Sequence, residues 1–175
     1  AGRPEESLDQ MNKIMDLMIA EGGNSSADFL DIHLRYCVLL EQCNRVDEAI
    51  EKLQTLLKEY PINGVVKNNL GYVLVEKGEQ IDTIETYLLG AHRTDPDSAP
   101  ILDSLGWFYY KKGEFETAYG YLRQAVVEMG REDTEVLDHL GDLVYRMGDA
   151  ERAGKYWRRV ADQLIREFRS NRGLL

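Results

Sequence analysis

Apolar side chains recur at helical intervals along almost the whole chain. In residues 5–21, Leu8, Met11, Met15, Met18 and Ile19 form a one-sided stripe, which predicts an N-terminal helix. The turn-rich run GGNSSAD follows and reads as a short joint. From residue 30 onward the pattern repeats itself. Leu70-Gly71, Leu105-Gly106 and Leu140-Gly141 fall 35 residues apart, and the lone glycines Gly78, Gly113 and Gly148 keep the same interval. Ile84, Ala118 and Ala153 continue the register, then Leu88, Leu122 and Trp157, then Ala91, Ala125 and Val160. An earlier, worn copy keeps Ala49, Leu53, Leu56 and Pro61 but has Tyr36 and Cys37 in the Leu-Gly slots. Such a period marks stacked supersecondary units, each too small to bury its own apolar face.

Glycine inside a helix costs about 1 kcal/mol against alanine, so its recurrence in apolar runs demands a tertiary return. Each copy reads as two antiparallel helices. Gly71, Gly106 and Gly141 leave room at the crossing for the partner's backbone, and Ala49, Ala118 and Ala153 do the same from the second helix. Gly78, Gly113 and Gly148 end the first helix, where a left-handed residue satisfies orphan carbonyls.

The pattern resembles the tetratricopeptide repeat, a helix-turn-helix unit of about 34 residues with Leu-Gly-x-x-Tyr and a later Ala-x-x-x-Phe. Leu105-Gly106-x-x-Tyr109 and Ala118-x-x-x-Leu122 carry the match. Single-residue insertions fall near Gln80 and in the loop 130–133. The expected division is an N-terminal helix or half-repeat with its joint (1–29), four repeats (30–63, 64–98, 99–133 and 134–164) and a capping extension (165–175). The resemblance implies an all-α, right-handed superhelical solenoid whose first helices line a concave groove that holds partner segments. Residues 64–164 also look like bacterial scaffold and adaptor proteins of this type, often envelope lipoproteins. They share the string Asp103-Ser104-Leu105-Gly106-Trp107 and the following His139-Leu140-Gly141. That likeness favours the periplasm or envelope over the cytoplasm.

Helical geometry then selects the groove candidates. Leu102, Leu105 and Tyr109 point to the second helix, which leaves Asp103, Trp107 and Lys111 on the opposite side. Repeat by repeat the wall offers Leu34 and Val38; Asn68, Asn69 and Tyr72; Asp103, Trp107 and Tyr110; and Asp138, His139 and Asp142. An exposed Trp107 with Tyr72 and Tyr110 has the composition of an interface anchor. The amides can grip a peptide backbone, and the acidic residues favour a partner with basic groups. The carboxylate clamp of co-chaperone repeats is not matched: Leu34, Val38, Pro100 and Ser104 stand where basic or amide groups are wanted.

Composition narrows the function classes. The 175 residues are 43% hydrophobic and 9% aromatic, as expected of a folded, soluble protein, and carry a net charge of −10, which disfavours nucleic acid. No apolar run is long enough for direct membrane insertion. His33 and Cys37 have an i, i+4 spacing open to metal, yet without a second pair they read as a structural histidine and a core thiol. No nucleophile-base constellation or phosphate loop appears, so neither enzymatic activity nor a cofactor or metal is expected. From Arg146 to Arg172, eight basic residues face four acidic ones, so this end is positive. A protein-interaction scaffold binding a protein or peptide is the leading expectation, with homo-oligomerisation through the end helices as its alternative.

Overall fold

The computed structural model describes residues 4–20, 27–78, 81–130 and 133–172. Residues 22–26 of the expected joint, the insertion near Gln80, residues 131–132 of the expected loop and the final three residues lie outside them; Ala27 and Asp28, read as the end of the joint, instead begin a helix. Every element among the described residues is an α-helix: α1 (Pro4–Ala20), α2 (Ala27–Gln42), α3 (Val46–Glu59), α4 (Gly64–Lys77), α5 (Ile81–His92), α6 (Ala99–Lys112), α7 (Phe115–Met129), α8 (Thr134–Arg146) and α9 (Ala150–Asn171). The fold class is all-α, as the periodicity predicts.

The chain forms two compact units, Ala1–Tyr87 and Leu88–Leu175, a division the repeat pattern does not foresee. In the first unit α1 packs on α2, α2 on α3 and α3 on α4. Leu8, Leu40, Ala49, Leu53, Val66 and Leu70 are among its most buried side chains. Polar contacts tie the turns: Arg45 pairs through two nitrogens with Glu48 at 2.7 Å, and Lys77 reaches Asp47 at 2.7 Å. Asn63 caps α4 by accepting from the Val66 amide at 3.0 Å.

In the second unit α6 pairs with α7 and α8 with α9, while α8 also touches both α6 and α7. Leu102, Ala125 and Val136, one from each of α6, α7 and α8, form a buried cluster flanked by Tyr121, Val126 and Met129. Helix ends follow the glycines. Gly78 (φ 76°) and Gly113 (φ 84°) end α4 and α6 in the left-handed region, and Gly148 (φ 91°) follows α8.

The crossing glycines are filled in a way that revises the expectation. A Cβ on Gly106 would stand 2.5 Å from Leu122 Cγ and 3.2 Å from the Leu122 amide nitrogen; one on Gly141 would collide with the Trp157 indole. The space belongs chiefly to the partner helix's side chain, so the glycine and the residue at the Leu122/Trp157 position form a knob and its hole. Ala118 and Ala153, on the second helices, are fully buried at 0% exposure.

Two alanine substitutions should therefore have opposite signs. Gly106→Ala, where backbone and side chain both block the new methyl, is expected to cost about 1–3 kcal/mol in urea denaturation. Gly120→Ala lies inside α7 with nothing within 4 Å of the new Cβ, and is expected to stabilise by about 0.5–1 kcal/mol.

Candidate partner-binding site

The α6–α8 contact builds the densest polar and aromatic constellation of the second unit. Among the described residues both α7 and α8 pack against α6. As a result every residue from Ile101 to Tyr109 is buried. Trp107 retains 8% exposure, so the expectation of an exposed anchor at this position is corrected. Its ring stacks on His139 with centroids 4.1 Å apart and on Tyr110 at 4.7 Å, each pair inclined by 13°. Lys111, one turn on, holds its ammonium 4.4 Å from the Trp107 ring.

Asp103 and His139 meet beneath the stack. The imidazole Nδ1 donates to Asp103 Oδ1 at 2.9 Å, and both side chains are more than nine-tenths buried. Neither is the exposed groove residue anticipated, because the helix facing them is the next α-helix rather than solvent. Glu135, one turn before His139, brings a third donor: its carboxylate, Asp103 and the imidazole offer atoms that all lie within 4.8 Å of one another. Sequence reasoning missed Glu135, although its i, i+4 relation to His139 places both on one face. Such a set could in principle ligate a metal, but Asp103 and His139 already satisfy each other.

Around this buried floor lies an accessible rim. Asp138 and Tyr145 are exposed on α8, with Asp142 half-buried beside them. Tyr110 closes the rim from α6. Partial burial pushes its phenol above the usual tyrosine range, the Asp142 charge adding to this and Arg146 opposing it. Of the expected residues in this unit, the structure gathers Asp103, Trp107, Tyr110 and His139 into one stack with Asp142 at its edge, and leaves Asp138 facing solvent.

In the first unit, α2 carries Leu34, half-buried, and Val38, exposed. On α4, Asn69 and Tyr72 are half-buried, whereas Asn68 is buried, again against expectation. Its Oδ1 has no hydrogen-bond partner among the described residues, a condition that typically costs about 1–3 kcal/mol. His33 and Cys37 are engaged locally. His33 Nδ1 lies 2.8 Å from the Phe29 carbonyl oxygen, and its ring packs 4.2 Å from the Phe29 ring. Burial pushes the Cys37 thiol up to about 12, and both cysteines are free.

Comparison with known proteins places these features in context. A tetratricopeptide-repeat family model matches residues 101–137. A TPR repeat-containing protein of Pseudomonas aeruginosa is 32% identical over 108 residues, 62% of this chain but 18% of that relative. Matched over so little of its length, this relative is a much longer protein. Among solved structures, a thermophilic TPR protein of Thermus thermophilus superposes with a TM-score of 0.69 at 20% identity, covering 90% of this chain and 85% of that one. PilF of Pseudomonas aeruginosa gives 0.63 at 21% identity, covering 74% and 59%.

Two measurements check the site's interior. Asp103→Ala strands a buried imidazole and is expected to cost about 2–4 kcal/mol in urea denaturation, well above a surface substitution. With a disulfide-exchange reagent at pH 8, Cys43 is expected to react in the native protein. Cys37, roughly one in ten thousand of which is thiolate at that pH, should react only on unfolding.

Proposed function

The chain is a tetratricopeptide-repeat protein, and on that premise we propose that it works as a non-enzymatic scaffold or adaptor that captures an extended segment of another protein. The fold itself is one of protein–protein interaction. The finer reading concerns which face binds and what it selects.

The observation that carries the reading is the rim of Asp138, Asp142, Tyr110 and Tyr145 standing on a rigid floor. The Asp103–His139 bond and the Trp107 stack hold α6 and α8 in one register. Rim side chains therefore pay little ordering entropy on binding. Two carboxylates beside two phenol rings suit Lys or Arg flanked by apolar residues, since the cation can meet both a carboxylate and an aromatic face. Trp107, Asp103 and His139 then act from below, fixing the rim without touching the segment.

The test is selection of peptides from a random display library, followed by titration of the enriched peptides by fluorescence anisotropy. Enriched sequences are expected to carry Lys or Arg beside an apolar residue. Asp138→Lys/Asp142→Lys should weaken them about tenfold, and Tyr145→Ala by a similar factor. Peptides of that kind binding equally well to the charge-reversed protein would remove the rim from the function.

A further inference from the structure

We infer that the chain associates head to tail with a second copy of itself, the C-terminal half of α9 in one molecule docking on α1 of the next. This surface uses none of the rim residues and stands independently of the peptide reading.

α9 outruns its partner. It has 22 residues against 13 in α8, so it extends roughly 13 Å further at the helical rise of about 1.5 Å per residue. Only Ala153 in it is fully buried. The stripe that packs Ala153, Trp157 and Val160 continues in helical register through Leu164 and Phe168, which are 52% and 55% exposed. Ile165, about half exposed, widens it, and Arg158, Arg169 and Arg172 fall on the same edge as Ile165. An aligned row of large apolar side chains beside a basic border is the composition of a docking surface, not of a solvated cap.

At the other end α1 shows a counterpart. It buries Leu8 and Met15 on the first unit, yet Ile14 and Leu17 lie on a second strip of the helix, with Leu17 63% exposed. Charge selects the partner. α1 carries Glu5, Glu6, Asp9 and Asp16 against Lys13, whereas α9 has six basic residues against three acidic ones. The unit Ala1–Tyr87 as a whole has twice as many acidic as basic residues. A copy of this chain thus presents an apolar helix in an acidic surround to the apolar, basic α9. An anionic lipid surface would attract α9 but is opposed by the chain's net charge of −10, so the second copy is the better match. Because the two surfaces differ, the contact is heterologous, and each added copy leaves one of each exposed.

Light scattering and sedimentation velocity on three proteins test this: wild type, an α9 variant (Leu164→Asp/Phe168→Asp) and an α1 variant (Ile14→Asp/Leu17→Asp). All four sites are exposed or half exposed, and circular dichroism checks that each variant keeps the wild-type fold. Between about 1 μM and 1 mM, wild type is expected to rise in mean mass above the 20.1 kDa of one chain, and about 0.5 M salt should weaken this roughly tenfold. Each variant alone should stay at 20.1 kDa, whereas an equimolar mixture should form a one-to-one complex that grows no further, since only one intact pair of surfaces remains. Wild type remaining at the single-chain mass throughout would overturn the inference, as would a mixture that forms no complex. Binding of monomeric wild type to phosphatidylglycerol vesicles, lost in the α9 variant, would assign the α9 surface to lipid instead.

Discussion

A steric coincidence between two helices governs this protein: the absence of a side chain at Gly106 and Gly141 where Leu122 and Trp157 enter. Helix propensity opposes glycine there by about 1 kcal/mol, while close packing of the buried Leu122 or the half-buried Trp157 against the facing helix returns more. The pairing therefore persists because the tertiary contact outweighs the local preference. The left-handed Gly113 at the end of α6 then turns the chain back within a few residues, so that α7 begins where the crossing needs it.

From that constraint the site follows. Once α6 is held by α7 through the Gly106 crossing, its other side is free to receive α8, and a whole helical turn-set from Ile101 to Tyr109 becomes buried. Polar groups taken out of water in this way must satisfy one another. Asp103 and His139 do so at 2.9 Å, and Trp107 stacks over the imidazole. A polar, aromatic floor of this kind cannot slide without breaking several contacts together, which is how a repeat built for stacking also presents a fixed edge of Asp138, Asp142, Tyr110 and Tyr145 to a partner.

Legibility from sequence tracks the range of the interaction. Helix identity, the pairing glycines and the left-handed stops are local or recur at a fixed period, and Gly78, Gly106, Gly113 and Gly141 can each be read from residue type and spacing. Burial of Trp107, Asp103, His139 and Asn68 cannot be read that way. A single helical wheel labels the side opposite the partner as open, although a third helix covers it in the second unit. Glu135 escaped because its relevance depends on Asp103, which lies on a different helix. Nor does a regular repeat announce where the chain divides into two units, since α5 carries the same grammar on both sides of Tyr87.

The most direct measurement of the crossing is a double-mutant cycle between Gly106→Ala and Leu122→Ala, with stability read by urea denaturation. If the glycine exists to admit the leucine, shortening Leu122 makes room for the added methyl. The double variant should then be more stable than the sum of the single losses by at least about 1 kcal/mol. Strict additivity would mean that Gly106 and Leu122 act separately, and the account of how these helices are joined would be wrong.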